Sequence, residues 1–384
     1  MKQKILSFLE RKVYMESAIT CCMFTFLGTL LLVFVWLLAL AGGWSNFVNT
    51  AKFMQVLSVI DRVYVGDADA DTLSDEVFYT MIDALGDRWS YYMTAEEYEA
   101  YQLGNTNSYI GIGITLQQTE NGRLITAVAK NSPAEAAGVQ SNTYLVEVNG
   151  HRLDGEEVSD VAALMREDPD HVEIVTVDAA GEEQRFEMSM AEVYSNPVSY
   201  EMKDGNVGYI RIENFDDTCA KEAIVAVEAL TEQGACALVF DVRSNGGGYL
   251  DELCELLDYL LPECEIFVSV TEDGKDKVTR SDAKCIDLPM AVLVNEHSYS
   301  AAEFFAAALR EHDAATLVGA RTTGKNRSQT NVVLFDGSAV HISSKRYLTP
   351  NRVDLTEQGG LTPDVEVAAG ENDPQLAAAL ELFR

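Results

Sequence analysis

The fold is decided by the stretch Leu238-Val239-Phe240-Asp241-Val242-Arg243-Ser244-Asn245-Gly246-Gly247-Gly248. Its apolar first half is typical of a buried strand, and the glycines lead from that strand into an amphipathic helical pattern. Bare backbone N–H groups at the start of a helix suit an oxyanion or a phosphate. Such a turn also serves as a simple tight connection, so the motif alone leaves the chemistry open.

Strand and helix patterns alternate on both sides of this turn. The predicted strands cover 207–212, 237–241 and 290–295, and the predicted helices cover 218–232, 249–261 and 301–311. This alternation predicts an α/β domain. From Val332 onward the pattern is rich in strands and turns.

A second strand, turn and helix carries the sequence His297-Ser298-Tyr299-Ser300-Ala301-Ala302-Glu303. A serine at the head of a helix gains from the helix dipole, and the N–H of the next residue can face an oxyanion. The same Ser300-x-x-Glu303 spacing is also a capping box, which is a purely structural device.

A third segment matches the G-x-x-x-x-G-K part of a phosphate-binding loop. It reads Gly319-Ala320-Arg321-Thr322-Thr323-Gly324-Lys325-Asn326. Asn326 stands where a Ser or Thr would hold magnesium, and residues 330–335 alternate like a strand instead of continuing a helix. Nucleotide binding is therefore disfavoured, and Lys325 and Gln329 by themselves would be ordinary exposed polar residues.

The N-terminal part contains no charged residue from Ser17 to Ala51. This length predicts a transmembrane helix over 17–43. Basic residues precede it, so the positive-inside rule places residues 1–16 in the cytoplasm and the rest outside. Ala39-Leu40-Ala41 also fits a signal-peptide cleavage site, and a buried core helix is the remaining alternative.

Composition excludes several classes of protein. Lys and Arg total 28 against 61 Asp and Glu, a net charge of −33, so nucleic acid would be repelled. The 7 cysteines form no CxxC pair and the 5 histidines lack ligand spacing, so we expect neither a zinc site nor a disulfide scaffold. We expect no metal and no organic cofactor.

Taken together, the motifs resemble those of the carboxyl-terminal processing proteases, over about Val48 to Val367. The matching segments occur in the family's order: Leu85-Gly86-Asp87-Arg88-Trp89-Ser90-Tyr91-Tyr92-Met93, Asp241-x-Arg243-x-Asn245-x-Gly247-Gly248, Ser300-Ala301-Ala302-Glu303, Gly324-Lys325-x-x-x-Gln329 and Gly360-Leu361-Thr362-Pro363-Asp364. The resemblance implies a serine protease built from a helical region, a PDZ domain and an α/β core.

By this resemblance, Ser300 is the nucleophile, Lys325 is the general base and Gln329 positions the lysine. The oxyanion hole uses the N–H of Ala301 and one N–H of the Gly246-Gly247 turn, and the choice between the glycines is open. A lysine can act as a base only if burial lowers its pKa from about 10.4.

Two residues depart from the family pattern. His297 stands where a glycine is usual and Tyr299 where a small residue is usual, which predicts a narrower approach to Ser300 and altered specificity. His297 also opens the alternative of a Ser-His-Asp triad, which would leave the Lys325-x-x-x-Gln329 spacing unexplained.

The region 104–192 resembles a PDZ domain, with Ile110-Gly111-Ile112 as the loop that holds a peptide's terminal carboxylate. In such domains the peptide adds a strand to the sheet edge. The walls of its pocket are expected from the helix that carries Val158, Val161 and Met165. A purely structural role for this module is the alternative.

The residues and this resemblance together predict a membrane-anchored serine endopeptidase that captures exposed C-terminal tails of exported proteins. By analogy with the family, the resemblance implies a role in envelope protein processing, within a signalling cascade. The predicted parts are 1–16 in the cytoplasm, 17–43 in the membrane, a helical region 44–103, the PDZ domain 104–192, the protease core 193–370 and a C-terminal tail 371–384. Self-association into a homo-oligomer is left open. The alternatives are a catalytically silent PDZ scaffold or sensor protein in the cell envelope and an intracellular nucleotide-binding protein.

Overall fold

The structure is a computed structural model that describes residues 2–153, 158–271 and 274–384. It divides after Met81 into two units, each described by itself below. The helices are α1 (Lys2–Leu40), α2 (Trp44–Val63), α3 (Ala70–Asp83), α4 (Ala95–Asn105), α5 (Pro133–Ala137), α6 (Val158–Arg166), α7 (Cys219–Glu232), α8 (Leu250–Leu260), α9 (Ala301–Glu311), α10 (Leu355–Gln358) and α11 (Pro374–Glu381). The strands are β1 (Tyr91–Met93), β2 (Ser108–Gly111), β3 (Ile114–Thr119), β4 (Gly122–Val128), β5 (Thr143–Val148), β6 (His151–Arg152), β7 (Val172–Val177), β8 (Glu183–Met188), β9 (Ala191–Tyr194), β10 (Val198–Lys203), β11 (Val207–Ile212), β12 (Ala237–Asp241), β13 (Glu265–Val270), β14 (Asp276–Arg280), β15 (Met290–Val294), β16 (Ala315–Gly319), β17 (Arg327–Val333), β18 (Ala339–Leu348) and β19 (Val365–Glu366).

The first unit is helical. Within α1, the segment Ile19–Leu40 is long and apolar enough to cross a membrane, and its side chains are exposed. A helix of this kind near the N-terminus fits either a membrane anchor or a signal sequence. Helices α2 and α3 pack through Phe53 and Phe78, whose ring centroids lie 6.5 Å apart.

The second unit contains a six-stranded sheet in the order β10-β11-β12-β15-β16-β19. All neighbours except β10 and β11 run parallel. Side chains of β12 alternate between the two faces: Leu238 and Phe240 face the core beneath α7, α8 and α9, whereas Ala237 and Val239 face α11. Burial on both faces explains why this strand is a continuous apolar run.

Helix α11 lies in the segment 371–384, which the sequence predicted to be a tail. Leu376, Ala379 and Phe383 pack on the sheet with Val239 and Leu293. This segment is therefore part of the packed core, because the second face of the sheet needs an apolar cover.

A second sheet in the same unit has the order β1-β18-β13-β14, with β17 paired to β18. Strand β1 lies in the region 44–103, which was predicted to be helical, and Tyr91 pairs with His341 of β18. A three-residue strand is too short to show periodicity, and its partner is distant in sequence, so the helical pattern around it dominated the prediction.

The PDZ module has a sheet in the order β3-β4-β5-β7-β8, with β6 paired to β5. Strand β3 is at the edge of this sheet, and α6 packs beside it. At the base of the module, β2 and β9 form a separate antiparallel pair.

Candidate active site

The loops that follow β12, β15 and β16 leave the sheet at the same edge, because the three strands are parallel neighbours. This edge, at the carboxyl ends of the strands, is where open α/β sheets usually bind ligands. The loops carry the glycine turn, Ser300 and Lys325. They line an active-site cleft of about 1000 Å³, and the predicted catalytic residues that line it are Ser300, Lys325, Gln329, Gly246, Gly247 and Ala301.

The glycine turn approaches the serine closely. A Cβ atom on Gly247 would lie 2.8 Å from the Ser300 Cβ atom and 2.9 Å from the Ala301 nitrogen, and φ of Gly247 is +93°. Only glycine therefore fits at this position. The Gly247 N–H donates to Asn245 Oδ1 over 2.8 Å, and Asn245 Nδ2 donates to the Ile212 carbonyl over 2.9 Å, which fixes the turn to β11.

Ser300 occupies the N-cap of α9 with φ 56° and ψ −124°. This conformation is disfavoured for a residue with a Cβ atom and costs about 1–3 kcal/mol. Such strain persists where the surroundings fix the backbone, and it is typical of active sites. Ala301 follows as the first helical residue, so its N–H points away from the helix without an intrahelical acceptor.

Glu303 joins the two loops that carry the serine and the lysine. Its side chain is fully buried. Its Oε2 atom accepts the backbone N–H groups of Ser300 at 3.1 Å and Lys325 at 2.8 Å, and Oε1 accepts the N–H of Gly324 at 2.7 Å and the hydroxyl of Thr322. Sequence reasoning treated this carboxylate only as a helix cap, but it also holds the lysine loop.

Gly324 is needed because of its backbone conformation and its close contacts with other backbone atoms. Its φ is +87°, and a Cβ atom there would lie 2.7 Å from the Gly360 nitrogen and 2.9 Å from the Leu355 carbonyl oxygen. The glycine lets the lysine loop pass close to the loop after α10.

Lys325 is half-buried in this cleft. Burial lowers the pKa of its ammonium group from 10.5 to about 8. The carboxylates of Asp87 and Glu303 raise this pKa, and the guanidinium of Arg88 lowers it further. At mildly alkaline pH a substantial fraction of Lys325 is therefore neutral and able to accept a proton.

Gln329 lines the cleft, but its Nε2 atom is engaged elsewhere. It donates to the Ser343 hydroxyl at 3.1 Å and to the Arg327 carbonyl at 3.3 Å. The role of holding Lys325 stays a prediction for this residue.

His297 lies on the far side of Tyr299 from the cleft. It lines a smaller cavity of about 530 Å³ together with Arg88, Trp89 and Tyr299. Its side chain is 71% exposed and its Nε2 atom is 3.9 Å from Glu296 Oε1. This position gives no support to a histidine base for Ser300.

Arg243 links the glycine turn to the C-terminal segment. Its guanidinium donates to the buried Asp241 through Nε at 2.9 Å, and to both carboxylate oxygens of Asp373 at 2.7 and 2.8 Å. Nη1 also donates to Gln375 Oε1 at 3.0 Å. The start of α11 therefore helps to fix the segment that leads into Gly246 and Gly247.

Several aromatic residues of the cleft were not predicted as site residues. They include Trp89, Tyr91, Tyr101 and His341. His341 stacks on Tyr91 with ring centroids 4.6 Å apart. Burial and the charge of Lys325 lower the pKa of His341 from 6.5 to about 4. The segment 85–93 was recognised only as a family motif, and nothing in its own pattern indicated that it reaches the cleft.

The predicted peptide-binding residues of the PDZ module have different surroundings. Ile110 and Gly111 belong to β2 and pair with β9, and Ile112 is buried in the PDZ core. Val161 and Met165 are also buried in that core. The side chain of Val158 lies outside the described residues. Strand β3 is at the edge of the module's sheet with α6 beside it, and the peptide-binding residue assignments stay predictions.

Comparison with known proteins extends these observations. Residues 206–367 match the model of Peptidase family S41, and residues 124–178 match the model of the PDZ domain. A "Probable CtpA-like serine protease" of Staphylococcus epidermidis is 30% identical over 325 residues, which cover 83% of this chain and 66% of that protein. A protein of the same description from Staphylococcus aureus is 30% identical over 324 residues, covering 83% and 65%.

The chain spans about two thirds of the length of these curated relatives. Among solved structures, a candidate S41 protease from Bacteroides fragilis NCTC 9343 is 17% identical with a TM-score of 0.59, covering 83% of this chain and 92% of that chain. This likeness concerns the fold. The relatives are described as proteases, and these descriptions give no support to the expected signalling role. The family matches and the relatives together establish that the chain belongs to peptidase family S41 and carries a PDZ domain.

Proposed function

We propose that this chain is a serine endopeptidase in which Ser300 is the nucleophile and Lys325 is the general base. The observation that carries the proposal is that Ser300 and the half-buried Lys325, with its lowered pKa, line one cleft at the carboxyl edge of the sheet. Perturbed lysines in clefts are typical of catalytic bases. The relatives described as serine proteases support the same activity.

In the proposed reaction, neutral Lys325 accepts the hydroxyl proton of Ser300 as the oxygen attacks the peptide carbonyl carbon. The ammonium group then donates that proton to the leaving amine, and an ester with Ser300 remains. Water hydrolyses this ester with Lys325 again as the base. Each step needs the lysine in alternating protonation states, which a pKa of about 8 allows.

The negative oxygen that forms during attack would be held by backbone N–H groups. Ala301 supplies one donor at the head of α9. Because the Gly247 N–H already donates to Asn245, this arrangement favours Gly246 as the second donor. Two preorganised donors of this kind stabilise the developing negative charge in the transition state.

The proposed substrates are proteins with exposed C-terminal tails. In this proposal edge strand β3 accepts a tail as an added strand, with α6 alongside. The segment 110–112, at the end of β2 and just before β3, lies at the tail's carboxylate. We propose domain extents of 104–192 for the PDZ domain and 193–370 for the protease core, the latter completed by α11.

We also propose that the segment 17–43 anchors the chain in the membrane. The basic residues before it support an orientation with the N-terminus in the cytoplasm and the catalytic part outside. Added protease should digest the catalytic part in intact right-side-out membrane vesicles. Protection of the catalytic part in intact vesicles would indicate the opposite orientation, with that part in the cytoplasm.

The activity is tested with the full chain in detergent and an unstructured protein substrate that ends in a free apolar C-terminus. Wild type should cleave it and Ser300→Ala should not, although both should bind it. The same substrate with an amidated C-terminus should bind more weakly. Binding without cleavage by wild type would identify a silent scaffold, and equal cleavage by Ser300→Ala would reject the nucleophile.

A further inference from the structure

Two aromatic rings converge on the side chain of Lys325. Its Nζ atom lies 4.4 Å from the centroid of the Trp89 ring and 5.6 Å from that of the Tyr299 ring. The two rings contact each other, with centroids 5.2 Å apart. In the part of the chain that the structure describes, no hydrogen bond or ion pair is made by Nζ. The aromatic faces are thus the principal contacts of this amine.

Both rings are held firmly from outside the cleft. The backbone N–H of Trp89 donates to Asp87 Oδ1 at 3.2 Å, and the Ser90 hydroxyl donates to Asp87 Oδ2 at 2.8 Å. The Ser90 hydroxyl in turn accepts the Ser343 N–H of β18 at 3.0 Å. This turn therefore fixes Trp89 relative to the sheet that continues from the lysine loop.

Tyr299 is fixed by the glycine turn. A Cβ atom on Gly246 would lie only 2.6 Å from the Tyr299 phenol oxygen, so the ring tip lies directly against this glycine. The phenol ring is thereby wedged between Gly246 and Trp89. Tyr299 also separates the active-site cleft from the smaller cavity that His297 lines.

Aromatic contacts suit a base that must change its protonation state. A carboxylate beside Nζ would hold the lysine charged, and a hydrogen-bond donor would occupy the lone pair of the neutral amine. A ring face attracts the ammonium form and packs against the neutral form. It therefore keeps the amine in place in both states without taking its proton or its lone pair.

We propose that Trp89 is a positioning residue for the base, and that with Tyr299 it forms an aromatic socket that keeps the Lys325 amine within the active-site cleft. This inference rests on the proposed function, because it assigns Trp89 a role only if Lys325 is the base. The other titratable groups around the lysine are Asp87, Arg88, Glu303 and His341.

The test compares Trp89→Leu, which keeps apolar bulk, with Trp89→Phe, which keeps a ring face. Kinetics of the full chain on a short peptide are measured from pH 6 to 10. For Trp89→Leu we expect kcat to fall about tenfold with KM unchanged. The rising limb of the pH profile should move to lower pH by about half to one unit, because the ring no longer favours the ammonium form. Trp89→Phe should keep most of the wild-type kcat and most of the wild-type pH profile. Tyr200→Leu, on the exposed face of β10, is the control and should change neither.

A second readout does not depend on catalysis. In the inactive Ser300→Ala background, Lys325 is labelled with a trace of acetic anhydride at each pH, and its labelling is quantified by mass spectrometry. Because only the neutral amine reacts, the midpoint reports its pKa, which should fall with Trp89→Leu and return with Trp89→Phe. If Trp89→Leu does not fold, Tyr299→Leu and Trp89→Phe are compared by the same two readouts.

The outcomes separate the two proposals. An unchanged kcat and an unchanged labelling midpoint in Trp89→Leu would overturn the socket while leaving the Ser300 and Lys325 assignment intact. An active Lys325→Arg enzyme would overturn the assignment of Lys325 as the general base, regardless of the results with the Trp89 variants.

Discussion

The Oε2 atom of Glu303 accepts the backbone N–H of Lys325 at 2.8 Å. The same atom accepts the N–H of Ser300, three residues before it. One buried carboxylate therefore sets the distance between the loop of the nucleophile and the loop of the base. The sequence motif around Glu303 is that of a helix cap, whereas its position in the fold lets the carboxylate connect the two loops.

Replacing Glu303 with Gln should damage both activity and stability. The amide would present an NH₂ group to N–H donors that now meet a carboxylate oxygen, so at least one buried donor would lose its partner. We expect kcat to fall tenfold or more and the free energy of unfolding to drop by about 1–3 kcal/mol. Peptide hydrolysis and urea denaturation measure these effects. Glu228→Gln, on the exposed face of α7, should change neither, and a fully active Glu303→Gln enzyme would contradict the bridging role.

The strained backbone of Ser300 gives a prediction about stability. Ser300→Ala and Ser300→Gly should both be inactive, but the glycine variant relieves the strain at φ 56° and ψ −124°. Glycine also gives the unfolded chain more conformational freedom, which offsets part of the strain that is relieved. On balance, Ser300→Gly should be more stable than Ser300→Ala by about 1 kcal/mol. Ser199→Gly, in the extended strand β10, should instead lose about 0.5–1 kcal/mol. Equal stability of the two Ser300 variants would mean that the conformation is not strained.

The pKa of Lys325 predicts the pH dependence of the rate. Burial lowers that pKa to about 8, so the neutral fraction rises from about a tenth at pH 7 to about nine tenths at pH 9. Hydrolysis should increase roughly tenfold over this range. A rate that is constant from pH 7 to 9 would exclude a base with this pKa.

Lys325→Arg keeps the positive charge but cannot deprotonate, so it should be as inactive as Lys325→Ala. Lys277→Arg on the exposed strand β14 should keep wild-type activity. His297→Ala should also keep appreciable activity, since its ring is exposed beyond Tyr299. Loss of activity in His297→Ala together with an active Lys325→Arg enzyme would favour a histidine base.

The ion pair between Arg243 and Asp373 predicts that the C-terminal segment supports catalysis. Asp373→Asn keeps a side-chain oxygen for the N-cap of α11 and removes the charge that Arg243 contacts. We expect a loss of about 1.5–3 kcal/mol in the free energy of unfolding, towards the lower end because Asp373 is partly exposed. The catalytic rate should fall as well, because the glycine turn follows Arg243. Glu381→Gln in the same helix is the control. Unchanged kinetics in Asp373→Asn would show that α11 does not influence catalysis through the glycine turn.

Local patterns were sufficient for most elements of the α/β core. The prediction of strands at 207–212 and 237–241 and of a helix at 301–311 is confirmed residue for residue. These elements are long, apolar and bounded by glycine or polar turns, so their own sequence specifies them. Strand β1 was missed because it is stabilised by pairing with β18 and not by its own three residues.

The sequence by itself therefore determined the apolar N-terminal helix, the alternating core and the residue types of the three loops, since each depends on neighbours along the chain. Only the tertiary structure decided that Trp89 and Tyr299 enclose Lys325, that Glu303 bridges two loops, and that α11 covers the sheet. These relationships join segments that are far apart in sequence. The loops meet because parallel neighbouring strands end at one edge of the sheet, and α11 packs on the sheet because its apolar face must be buried. A local sequence pattern does not specify which distant side chain makes these contacts.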